Sequence, residues 1–153
     1  MQFATILVAA VSALTASAAP AAVQERGCKV AYPTPGYVYA SRYYEPDYVN
    51  SAGVVFDIPE GATGACDLRV KFNETYVPGG PSLGGNTQVD FKYLGGAGTT
   101  YTFRPGPLDS TIGSFGCADV MDFTLTVSPE QGEGGYVGFY QNERTGLYIT
   151  HSC

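Results

Sequence analysis

The chain has one histidine, four cysteines and fourteen acidic side chains, so the reactions it can support are few. Nucleophilic catalysis needs a Ser or Cys beside a base. The only candidate base is His151, two residues from Cys153 at the end of a strand, where an exposed side chain is the expectation. A glycoside hydrolase needs two carboxylates across a cleft. The nearest pairs are Asp119 with Asp122, Glu45 with Asp47, and Glu130 with Glu133, each in or next to a turn, where solvated acids are ordinary. No C-x-x-C spacing and no D-x-[DN]-x-[DN]-G loop is present, so neither a zinc site nor an EF-hand calcium site is expected. These residues predict a chain that is not an enzyme and needs no metal or cofactor.

The tyrosines carry more information. Tyr32, Tyr37, Tyr39, Tyr43, Tyr44 and Tyr48 fall in one short stretch and make half of the chain's twelve. Flat amphipathic rings suit half-buried strands, and packing over the end of the fold is the expectation. The alternative is an aromatic platform for a sugar or a protein, with Tyr37, Tyr39, Tyr43 and Tyr44 as its residues. Pro33 and Pro35 interrupt the stretch, which predicts an edge strand with a loop.

The surrounding elements read as strands. In Cys66–Phe72, Cys66, Leu68, Val70 and Phe72 alternate with Asp67, Arg69 and Lys71. Val89, Phe91 and Tyr93 alternate in the same way, as do Met121, Phe123, Leu125 and Val127. This period of two marks strands with one core face and one solvated face. Gly53–Ile58 reads as a buried strand stopped by Pro59. Tyr136–Cys153 shows alternation on both sides of Asn142–Gly146 and predicts a closing β-hairpin. With eight to ten short strands, Gly/Pro turns and no amphipathic helix, the expected fold is all-β. Its expected form is an antiparallel two-sheet β-sandwich of jelly-roll or immunoglobulin-like type, stabilised by disulfides.

The N-terminus directs this domain outward. Phe3–Leu14 is an uncharged apolar run followed by Ala16-Ser17-Ala18, a signal peptide with cleavage after Ala18. The run is shorter than the ~20 residues a membrane span needs, and no second such run follows. The expected organisation is a signal peptide at 1–18, a flexible lead at 19–27 and one domain at 28–153. Cys28, Cys66, Cys117 and Cys153 make an even count behind a signal peptide, which predicts two disulfides. Three pairings are open. Cys66–Cys117 inside the sandwich with Cys28–Cys153 tying the ends is the preferred one, each contributing roughly 4 to 5 kcal/mol through chain entropy. Asn73-Glu74-Thr75 is the only sequon and predicts N-glycosylation at Asn73. The net charge of −6 disfavours nucleic acid and anionic membranes as partners.

Four blocks resemble a known family. They are Cys28; Phe56-Asp57-Ile58-Pro59 with Cys66-x-Leu68-x-Val70-x-Phe72; Gly113-Ser114-Phe115 before Cys117; and Phe139-Tyr140-Gln141-Asn142 with Gly146-Leu147-Tyr148-Ile149-Thr150 before Cys153. Over about Cys28–Cys153 the chain is similar to the ubiquitin-binding-protein "But" C-terminal domain of small secreted fungal proteins. It departs from that pattern at Gly116-Cys117-Ala118, where relatives tend to have an aromatic-Cys-Pro step. The resemblance implies a secreted fungal β-sandwich. The intracellular role in the family's label does not suit a chain with a signal peptide and paired cysteines. The expected function is non-catalytic surface interaction with an unknown protein or a cell-wall glycan, at the fungal wall or on a host or competitor. The alternatives are a glycan-binding module using the tyrosines of 32–48 and a carboxylate-dependent glycoside hydrolase.

Overall fold

The computed structural model describes residues 27–45, 47–73, 82–94, 96–132 and 134–153. The expected signal peptide, the lead up to Arg26, and Glu74 and Thr75 of the sequon lie outside them. In chain order the strands are β1 (Lys29–Ala31), β2 (Gly36–Tyr44), β3 (Asp47–Asn50), β4 (Ala52–Asp57), β5 (Ala65–Phe72) and β6 (Ser82–Leu83). They continue as β7 (Thr87–Tyr93), β8 (Gly98–Phe103), β9 (Leu108–Gly116), β10 (Val120–Val127), β11 (Gly135–Gln141) and β12 (Gly146–His151). A three-residue 3-10 turn, Pro129–Gln131, is the one helical piece among the described residues.

The expected antiparallel β-sandwich is present, and its strands divide into three four-stranded sheets where two were expected. The orders are β1-β12-β5-β9, β4-β10-β7-β8 and β3-β2-β11-β6. The division arises where consecutive strands change partners. Only Ser51 separates β3 from β4, yet the two belong to different sheets. A ladder cannot continue through such a corner, so the sheet breaks there.

One core serves all three sheets. The alternation of β5 buries Cys66, Leu68, Val70 and Phe72, and that of β10 buries Met121, Phe123, Leu125 and Val127. Phe72, Phe103 and Phe139 come from one sheet each and close a triangle. Their ring centroids lie 6.1 Å (Phe72–Phe103), 5.2 Å (Phe72–Phe139) and 6.5 Å (Phe103–Phe139) apart. Each such aromatic contact contributes about 0.5–1.5 kcal/mol beyond the area it buries.

Both preferred disulfides form. Cys66–Cys117 starts from the fully buried end of β5, and Cys28–Cys153 closes the open end of the β1–β12 ladder. They enclose sequence separations of 51 and 125 residues, long loops whose closure restricts the unfolded chain strongly.

Three local expectations are corrected. The tyrosine-rich stretch is not a single edge strand: it runs from the edge strand β1 to the edge strand β3, but its longest strand, β2, lies inside its sheet between β3 and β11. Pro33 and Pro35 both precede Gly36, so nine residues of β2 are free to bond on both sides. The closing hairpin is not a hairpin either. β11 pairs with β2 and β6, while β12 pairs with β1 and β5, so residues 141–146 form an arch between two sheets. Finally, His151 is not exposed. It shares the inward parity of Leu147 and Ile149, is buried to 2% exposure, and its Nδ1 lies 3.1 Å from the Ser152 hydroxyl.

Candidate functional site

Strand register collects six tyrosines on one face of the β3-β2-β11-β6 sheet. Residues two apart on a strand share a face, and directly paired residues of neighbouring strands share it too. On β2 the face carries Tyr37, Tyr39, Ser41 and Tyr43. Across from them, Tyr37 pairs with Tyr140, Tyr39 with Gly138, Ser41 with both Tyr136 and Asn50, and Tyr43 with Tyr48. The intervening residues Val38, Ala40, Val137 and Phe139 point into the core. The tyrosine face is therefore the outer one. Tyr37, Tyr48 and Tyr140 are each more than half exposed, and Tyr43 is nearly so.

The rings organise one another. Tyr37 and Tyr39 lie parallel within 12° at 6.2 Å, Tyr37 meets Tyr140 at 5.0 Å, and Tyr39 meets Tyr136 at 6.5 Å. Gly138 makes this possible. A Cβ there would sit 2.6 Å from the Tyr37 hydroxyl and 3.0 Å from Cδ2 of Tyr39. With no side chain at 138, Tyr37 leans across the sheet, and a leaning ring offers solvent a face where an upright one offers an edge. From Tyr37 to Tyr43 the row runs roughly 20 Å along β2, at 3.2–3.4 Å per residue. Tyr37 also borders a groove of 240 Å³ whose other lining residues, the buried Val38, Val54 and Gln141 among them, do not belong to the tyrosine face.

Polar groups on this face are few. Tyr39 and Tyr43 bring their phenol oxygens to 3.5 Å, and this contact holds the Tyr43 phenol above its ordinary value. Asn50 donates its amide to the Tyr39 carbonyl at 2.9 Å. Ser41 is 1% exposed, and its Oγ has no hydrogen-bond partner among the described residues. No acidic or basic residue occupies a paired position on this face of β2, β3 or β11.

Of the four tyrosines proposed from the sequence, the structure brings Tyr37, Tyr39 and Tyr43 together and separates Tyr44. Tyr44 has the opposite parity and donates its hydroxyl to the Pro129 carbonyl at 3.0 Å. Its neighbour Arg42, also on the reverse face, donates to the Val127 carbonyl at 2.9 Å. Tyr32 is elsewhere, 6.3 Å from Tyr148. The sequence reading missed Tyr136 and Tyr140 as members of the face. Their shared parity along β11 was visible, but their pairing with β2 spans about a hundred residues and leaves no local signal.

The remaining candidates stay apart from this face. Asp119 is exposed and Asp122 half-buried at the start of β10. Among the described residues no three of His, Cys, Asp and Glu come together as a metal site would require. Asn73 is exposed just past β5, and its amide donates to the Arg144 carbonyl at 3.1 Å. In the arch, the buried Gln141 amide accepts from the Leu147 N–H at 2.6 Å and donates to the Leu147 carbonyl at 2.7 Å. The side chain thus stands in for a ladder partner. Asn142 Oδ1 accepts from the N–H groups of Arg144 and Thr145 and fixes the turn.

No family model, curated protein or solved structure matches the chain.

Proposed function

We propose that this protein is an extracellular, non-catalytic adhesion module that holds a polysaccharide chain on the tyrosine face of the β3-β2-β11-β6 sheet. The observation that carries this reading is the collection of six tyrosines on one solvent-facing side of a single sheet, with no charged residue among them. An apolar ring face with a hydroxyl at its tip suits a sugar ring, which has apolar C–H faces and a polar rim. A row roughly 20 Å long spans several sugar rings, so an extended polymer fits it better than a single sugar. Two disulfides, and the absence among the described residues of any helix long and apolar enough to cross a membrane, are compatible with an extracellular location. Secretion through the leader at 1–18, glycosylation at Asn73, and a fungal origin within the "But" C-terminal domain family belong to the same reading. They rest on the sequence.

The test is retention on insoluble chitin and on insoluble β-glucan. The wild-type protein is expected to be retained on at least one of them. Replacing Tyr37 and Tyr140 together by Ala is expected to weaken binding about thirtyfold, the scale of a central aromatic hot spot of about 2 kcal/mol. Both side chains are largely exposed, so the melting temperature is expected to stay within a few degrees of wild type. If no wall polysaccharide retains the wild-type protein, the proposal fails.

A further inference from the structure

Ser41 sits in the middle of the tyrosine face and carries the one buried hydroxyl there without a hydrogen-bond partner among the described residues. On β2 it lies between Tyr39 and Tyr43, and across the ladders it faces Tyr136 on one side and Asn50 on the other. Burial follows from these neighbours. The phenols of Tyr39 and Tyr43 approach to 3.5 Å, the outer limit of a hydrogen bond, and close over the position between them. The result is a serine with 1% exposure whose Oγ has no partner among the described residues.

A buried hydroxyl without a partner is costly, and native folds rarely keep one without a reason. Ala at this place would pack as well against the same neighbours. The Tyr39–Tyr43 contact on either side of Ser41 is exposed and at the outer limit of a hydrogen bond, so it opens at little cost. The groups around it are hydroxyls and an amide, and no charged residue is paired on that face. Arg42, the nearest basic residue in sequence, lies on the reverse face with its Nε bonded to the Val127 carbonyl. The chain's net charge of −6 adds to the mismatch with an anion.

Resting on the polysaccharide reading above, we propose that Ser41 is the specificity-determining residue of the face. When the Tyr39–Tyr43 contact opens, its hydroxyl exchanges a hydrogen bond with a ring hydroxyl of a neutral polysaccharide. A serine hydroxyl donates once and accepts twice, so it can read a sugar hydroxyl in either sense. Acidic polysaccharides are disfavoured, because the face has no cation to meet a carboxylate or sulfate. Rings on either side of Ser41 supply contact area, and the serine sets register along the chain.

The experiment is calorimetric titration of wild-type protein and Ser41→Ala with a soluble β-glucan, a chitin oligomer and polygalacturonate, alongside a thermal melt of each protein. Ser41→Ala is expected to weaken neutral-sugar binding roughly five- to tenfold, the loss of about one neutral hydrogen bond. Its melting temperature is expected to equal or exceed that of wild type, since an unpaired buried group has been removed. A deoxy analogue of the bound sugar that lacks the paired hydroxyl should lose affinity for wild type and lose none for Ser41→Ala. Unchanged affinity in Ser41→Ala overturns the inference while leaving the polysaccharide reading in place. If that variant also melts lower, the hydroxyl serves an internal water. Binding of polygalacturonate as tight as that of the neutral sugars overturns the inference as well. If the wild-type protein binds none of the three, this inference and the reading it rests on fall together.

Discussion

The same residue type is used in opposite ways on two sheets of this molecule. On the β1-β12-β5-β9 sheet, the Tyr148 hydroxyl donates to Asp109 at 2.9 Å. The Arg69 guanidinium lies 5.8 Å from the Tyr148 ring centroid and pairs with the same Asp109 at 3.4 Å. Phenol, cation and carboxylate form one small network in which the tyrosine hydroxyl has a partner, although the buried Nε of Arg69 has none among the described residues, and the tyrosine serves the fold. On the β3-β2-β11-β6 sheet, rings meet rings, two phenols barely touch, and Ser41 has no partner among the described residues. Six tyrosines there add little that the fold requires. The difference teaches where to look for function. Tyrosine content alone is uninformative; the second surface is set apart by a row of solvent-facing rings with no charged partner among them, since an unpartnered buried atom (Ser41 Oγ, Arg69 Nε) occurs on both sheets.

The arch between the two sheets offers the strongest way to separate them. Gln141→Leu keeps the volume of the side chain but removes both bonds to Leu147, leaving a buried N–H and a buried carbonyl unpaired. At 1–3 kcal/mol for each orphaned group, the expected loss is about 3 kcal/mol, read as a lower urea midpoint with an unchanged slope. Polysaccharide binding well below the melting temperature is expected to stay at the wild-type level, because no residue of the tyrosine face has changed. If binding falls with stability, the two sheets do not act independently and the comparison breaks.

A smaller change sharpens the tyrosine face itself. Gly138→Ala places a methyl group 2.6 Å from the Tyr37 hydroxyl, which must swing away. The obstructing atom is the tip of a flexible side chain. An alanine in mid-strand is also favoured over glycine by roughly 0.5–1 kcal/mol, so stability is expected to hold or rise. Binding is expected to fall about fivefold, or about 1 kcal/mol, through loss of the leaning ring. Affinity unchanged in this variant would show that the orientation of Tyr37 is irrelevant to the ligand.

Much of this arrangement was legible in the sequence as parity. Alternation in Cys66–Phe72 and Met121–Val127 placed every core residue of β5 and β10 correctly. Parity also separates Tyr44 from Tyr37, Tyr39 and Tyr43, and puts His151 inward with Leu147 and Ile149, although neither consequence was drawn from it. Gln141 follows Val137 and Phe139 in the inward set, so a buried amide in need of partners was visible in principle. Pairing was not legible. A hairpin and an arch show the same alternation around the same short turn, and the choice between them depends on which distant strands offer better ladders. The face assembled from β2, β3 and β11 depends on that choice, so Tyr136 and Tyr140 could not be named in advance.

The smallest expected effect tests the other side of the comparison. Tyr148→Phe removes the hydroxyl that donates to Asp109 and leaves the ring beneath Arg69. The bond is partly exposed, so its loss is expected to cost about 0.5 kcal/mol, and polysaccharide binding should not change. Burial raises the Tyr148 phenol first, the hydrogen bond to Asp109 raises it further, and Arg69 works against both. A phenol raised in the folded state contributes its stability fully below the unfolded value of about 10 and loses it as pH rises through the higher folded value. The stability gap between wild type and Tyr148→Phe should therefore be constant from neutrality to about pH 9 and shrink above pH 10. Tyr43, also raised, is present in both proteins and cancels from the difference. A gap that stays constant through alkaline pH would mean that neither burial nor the Asp109 bond raises the Tyr148 phenol in the folded protein, and the polar network on this sheet would not contribute as argued.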